Sequence, residues 1–133
     1  MEELGKKWLA RANNDLKTAK DEMNTEDPAT DTICFHAQQC VEKYLKGYLV
    51  LHQKHFRKTH NVSKLVELCK DIEPDFETLH QFKVDILNNY AVEIRYADEF
   101  YFPSVEEAKE AIEIAEKVKQ FILNKLETKD FKP

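Results

Sequence analysis

Residues 34–51 read CFHAQQCVEKYLKGYLVL, and the choice of fold depends on this stretch. Cys34, Ala37, Val41, Tyr44, Leu45, Tyr48 and Leu51 recur at steps of three and four, the spacing that gathers side chains on one face of an α-helix. Half the circumference is apolar, so the helix belongs in the core, and it is expected to start near Ala29 to Asp31 and to end at about His52. A second series, His36, Gln39, Lys43 and Lys46, recurs at three, four and three. At about 100° per residue these four lie within roughly 80° of one another, a polar stripe on a greasy helix.

Working outward, Leu4, Trp8, Ala12, Leu16, Ala19 and Met23 define an amphipathic first helix that ends in the polar run Asn24 to Pro28. Beyond the central helix, His52 to Asn61 carries His52, His55 and His60 with Lys54, Arg57 and Lys58, and VSKLVELCK then forms a short third helix stopped by Pro74. A fourth helix is expected from about Asp75 to Ile94, with Phe76, Leu79, Ile86, Leu87, Tyr90 and Ile94 inward. It runs into the aromatic corner Arg95 to Pro103, where Tyr96, Phe100, Tyr101 and Phe102 cluster. Ser104-Val105-Glu106-Glu107 has the form of a capping box and opens a last helix with Val105, Ala108, Ile112, Ala115, Ile122 and Leu126 on one stripe. Four long helices and one short one, none able to bury its stripe alone, predict an all-α, antiparallel up-and-down four-helix bundle. The 133 residues make one domain, 1–133, with about 128–133 as a frayed tail.

Only two glycines and four prolines punctuate the chain, consistent with few, long elements. A net charge of −5 argues against a protein that coats nucleic acid electrostatically, although a local basic patch is compatible with it. Cys34, Cys40 and Cys69 form no CxxC pair and read as reduced core thiols. With no secretory h-region and no long apolar run, a cytoplasmic protein without a membrane segment is expected. His52 and His55 could hold a metal only with His60, and no carboxylate or cysteine stands at ligand spacing, so neither a metal nor a cofactor is expected.

The run Phe35 to Lys46, with its His36, Gln38-Gln39, Glu42-Lys43 and Leu45-Lys46, resembles the second-helix signature of the HEPN family. Three further features resemble that family in the same order: Trp8, Ala12, Asp15 and Leu16 in the first helix, Lys58-Thr59-His60 with Leu65 leading into the third, and Glu93-Ile94-Arg95-Tyr96 at the corner. The resemblance implies a symmetric homodimer of helical bundles, nucleotide- or RNA-associated and often one component of a toxin–antitoxin-like pair with a minimal nucleotidyltransferase. Many members are metal-independent ribonucleases that use an arginine and a histidine with four to six residues between them. The imidazole moves the proton and the guanidinium holds charge on phosphate. Here the positions counted from Arg95 are occupied by Phe100, Tyr101 and Phe102, so the histidine is missing.

Arg95, Lys43, Lys46, His36, Gln39 and Tyr101 are thus the candidate nucleotide- or RNA-binding residues, and Arg95 and His60 the candidate catalytic ones. If Arg95, Lys43 and Lys46 form one anion-binding surface, their mutual repulsion makes removal of any of them neutral or mildly stabilising without ligand. The alternatives are a structural adaptor that only mediates protein contacts and a working metal-independent ribonuclease.

Overall fold

The computed structural model describes residues 2–90 and 102–128. Among these the chain is helical throughout its regular elements: α1 (Glu2–Met23), α2 (Thr30–Leu51), the nine-residue α3 (Val62–Lys70), the single turn α4 (Thr78–Gln81) and α5 (Val105–Thr128). No helix among the described residues is long and apolar enough to cross a membrane.

α2 is the axis of the molecule. It packs against α1, α3 and α5, and from Tyr44 to Leu51 every residue is buried, as a helix surrounded on all sides must be. α1 lies antiparallel to it, Gly5 beside Leu51 at one end and Asp15 beside His36 further along. The crossing is close because two glycines line it: a Cβ on Gly5 would stand 2.5 Å from Leu51 Cγ, and one on Gly47 2.8 Å from Leu9 Cδ2. This close approach shifts the buried face of α1 to Gly5, Leu9, Ala12, Asp15, Leu16 and Ala19, so that Leu4, expected inward, is 49% exposed. α5 begins where the capping box placed it: Ser104 Oγ accepts from Glu107 N–H at 3.0 Å, and Glu107 Oε1 accepts from Ser104 N–H at 3.1 Å. Its buried face is Ala108, Ala111, Ile114, Ala115, Val118, Ile122 and Leu126, while Val105 is largely exposed.

The continuous fourth helix expected from Asp75 is not formed. Pro74–Glu77 and Val84–Tyr90 are 3-10 turns on either side of α4, and Lys83 adopts φ 65°, the left-handed region that ends a helix. The buried residues explain the choice. Phe76 and Leu79, and then Val84, Leu87 and Tyr90, fall at intervals of three, the period at which a 3-10 turn stacks side chains on one face. The segment is also tied sideways, Asn88 Oδ1 accepting from Val62 N–H at 2.9 Å in the first turn of α3. Phe76 bridges the layers, its ring 4.6 Å from that of Tyr48 and 5.0 Å from that of Phe121. The structure is therefore all-α, with long helices α1, α2 and α5 and a run of short turns from Pro74 to Tyr90 among the described residues.

Cys34, Cys40 and Cys69 are buried in the resulting core. Burial pushes the Cys34 thiol up to about 12 and raises Cys40 and Cys69 as well.

Candidate functional site

The polar stripe of α2 is only partly open to solvent: Lys46 is buried, and His36, Gln39 and Lys43 are half-buried. Its side chains turn toward α1 and the segment leading into α3, where they form two clusters. In the first, Asp15 of α1 holds both Lys43, whose Nζ donates to Oδ2 at 2.6 Å, and His36, whose Nδ1 lies 2.8 Å from Oδ1. In the second, Glu42 is the hub: Lys46 Nζ donates to Oε2 at 2.9 Å, and His60 Nδ1 lies 3.0 Å from Oε1. Gln38 Nε2 donates to Glu42 Oε1 at 3.1 Å and to the His60 carbonyl at 3.0 Å, and Gln39 Nε2 donates to Gln38 Oε1 at 2.7 Å. The Lys46 ammonium also lies 5.6 Å from the centre of the Trp8 ring.

Burial gives this arrangement its energetic weight. The side chains of Lys46 and Glu42 are only 6% and 4% exposed, so each charge has exchanged its water for the other. Such a pair costs desolvation but is strongly destabilised when one partner is removed, because the survivor is left charged and dry. Lys43 and Lys46 are consequently neutralised cations, and a phosphate would have to compete with Asp15 and Glu42 for them. The expectation that their removal leaves stability unchanged or raises it is not supported by these pairings.

His60, a catalytic candidate on sequence, does not cap the helix that follows it. The cap is Asn61, whose side chain accepts from Lys64 N–H at 3.1 Å. His60 instead presents Nδ1 to a buried carboxylate, the arrangement that fixes an imidazole tautomer and leaves Nε2 available for proton exchange. His36 repeats this geometry on Asp15. Chemically, the site can orient two imidazoles and hold one buried and one half-buried ion pair. Among the described residues no group of His, Cys, Asp or Glu is arranged to hold a metal ion.

Of the sequence candidates, His36 and Lys43 meet on Asp15, and Gln39, Lys46 and His60 gather around Gln38 and Glu42. Arg95, Tyr101 and the motif position Phe100 lie outside the described residues. Asp15, Gln38 and Glu42 were not among the candidates, though they organise the rest. A signal was present for Asp15, a carboxylate set between Ala12 and Leu16 on the inward stripe of α1, which demands a buried partner.

The fold and site define an all-helical domain whose first two helices are joined at Asp15 and whose approach to α3 is held at Gln38 and Glu42. The model of the HEPN domain matches residues 6–126, and the chain belongs to the HEPN family. No curated protein and no solved structure matches it.

Proposed function

We propose that this HEPN domain is a nucleotide- or RNA-binding module, acting as a homodimer and as one component of a toxin–antitoxin-like pair with a minimal nucleotidyltransferase, and that it is not itself a ribonuclease. The observation that carries the reading is the family match over residues 6–126, which includes Arg95 while Phe100, Tyr101 and Phe102 stand where an imidazole is required. Arg95 supplies charge for a phosphate, and no group at those three positions can shuttle a proton near neutral pH. Self-association draws support from Phe102, 70% exposed, and Val105, 39% exposed, close together at the start of α5.

The adaptor reading draws on a different observation. Lys43 and Lys46, two of the cations assigned to an anion site, are already paired with carboxylates. One set of measurements separates these readings. Light scattering is expected to give about twice 15.7 kDa, and wild-type protein to bind RNA with an affinity that falls on Arg95→Ala. With chelator present, wild-type protein is expected to leave a long RNA intact, and Phe100→His to confer cleavage. A monomer without RNA affinity would favour the adaptor, and cleavage by the wild type would establish a ribonuclease with another proton carrier, for which His60 on Glu42 is the candidate.

A further inference from the structure

The segment between α2 and α3, together with the outer side of α3, encloses a cleft of about 670 Å³. Its lining includes Phe56, Arg57, Lys58, Lys64, Glu67 and Asp71, and neither Lys43 nor Lys46 contributes to it. We infer that this cleft is a binding site for one or two nucleotides of a single RNA strand, with phosphates on Arg57, Lys58 and Lys64 and a base against Phe56.

The first argument is electrostatic. Among the described residues, Lys43, Lys46, Lys54 and Lys70 each have a carboxylate partner, whereas none lies within 4.0 Å of Arg57, Lys58 or Lys64. The chain carries a net charge of −5, yet this cleft is lined by three cations that pair with no carboxylate among the described residues. Cations held together in this way repel, and a polyanion relieves the repulsion while releasing counterions.

The second argument is chemical. A cleft of this volume is far larger than a lone phosphate needs and is of the size that accommodates small organic ligands. Phe56 packs on the core with one side and lines the cleft with another, giving a fixed ring for a base. Glu67 and Asp71 exclude phosphate from their side. Glu67 uses Oε2 for Lys70 and His80, and Asp71 uses Oδ2 for Lys54, so each keeps a second oxygen that can accept from an exocyclic amino group of a base. An acidic peptide or a polyphosphate offers anions without those donors. Base edges of this kind are open to side chains when the strand is unpaired.

The inference rests on the RNA reading above, and the test separates the two. Anisotropy of a labelled single-stranded RNA of about ten nucleotides is to be followed at two salt concentrations. The variants are the triple substitution Arg57→Ala, Lys58→Ala and Lys64→Ala, Phe56→Leu, and Arg95→Ala, each with its melting curve. The triple variant is expected to weaken binding by at least about tenfold and to flatten the log–log salt slope by about 2. Phe56→Leu, which keeps an apolar side chain on the core, is expected to weaken binding roughly fivefold or more. Unchanged binding by the folded triple variant, with loss on Arg95→Ala, overturns the cleft and keeps the RNA reading. No RNA binding by the wild type overturns both. Competition by tripolyphosphate or polyglutamate as effective as that by RNA, or equal affinity for a duplex, overturns the proposed base recognition.

Discussion

At Glu42 four side chains converge on one buried carboxylate: Lys46, His60, Gln38 and, at 3.5 Å, Gln39. Glu42→Gln leaves the Lys46 ammonium dry and without a counter-charge, and it is expected to lower stability by about 3–5 kcal/mol. Lys46→Met removes the same pair from the other side, but Glu42 keeps Gln38 and His60, so the cost is smaller. The double variant is expected to be more stable than the sum of the two losses, and a urea-denaturation cycle over the four proteins measures that coupling. Additive losses would mean that the pair contributes nothing beyond its separate parts. Sequence periodicity found this stripe but not its partners, since it gives the angular position of a side chain and not what stands opposite. In the sequence Lys43 and Lys46 therefore read as available cations, and nothing there marks Asp15 and Glu42 as their partners.

Between elements, His80 joins α3 to the segment after α4. Its Nε2 lies 2.8 Å from Glu67 Oε2 and its Nδ1 3.1 Å from Asp85 Oδ2, while Ser63 also donates to Asp85. Burial opposes the charged imidazole, but the hydrogen bonds to Glu67 and Asp85 outweigh it and hold the His80 pKa above its ordinary 6.5. Hydrogen bonds from His80 and Lys70 lower Glu67; burial works against the charge of Asp85, and Ser63 and His80 overcome it. A raised histidine contributes stability that is complete below 6.5 and is lost as pH rises through its folded value. The lowered carboxylates contribute theirs above 4.5 and 3.8 and lose it toward acid. The latch is therefore strongest between about pH 5 and 6.5. Melting temperatures of wild type and His80→Gln are expected to differ most in that window and to draw together as pH rises through the folded value of His80; a constant gap would show that protonation of His80 is not involved. At the α1–α2 crossing, Gly47→Val is expected to cost about 1–3 kcal/mol in urea titrations, because the added methyls meet Leu9 Cδ2 and Trp8 Cβ. A valine variant as stable as wild type would mean that the helices separate freely there. The long helices and the Ser104 cap were legible from period and capping chemistry. The break at Lys83 was not, although the three-residue spacing of Val84, Leu87 and Tyr90 already favoured 3-10 turns over a continuous helix.

For the molecule as a whole, the sequence carried the family through residues that pair with one another inside the fold. Asp15, His36 and Lys43 form one cluster between α1 and α2, and Gln38, Glu42, Lys46 and His60, with Trp8 beside Lys46, form another that fixes the approach to α3. Such a signature identifies a fold more readily than a chemistry, and the basic cleft beside Phe56 escaped notice because its cations come from a loop and a helix that only folding brings together. The three enclosed sulfhydryls make each molecule a reporter of its own opening. With Cys34 near 12 and all three thiols shielded, the native protein is expected to resist alkylation by iodoacetamide at pH 8, each site reacting only when its surroundings open. Cys69 sits on the nine-residue α3 and Cys40 at the middle of the central helix, so in dilute urea mass mapping is expected to find Cys69 modified before Cys40. Simultaneous labelling would instead mark the domain as one cooperative unit, with α3 no easier to detach than the axis on which it rests.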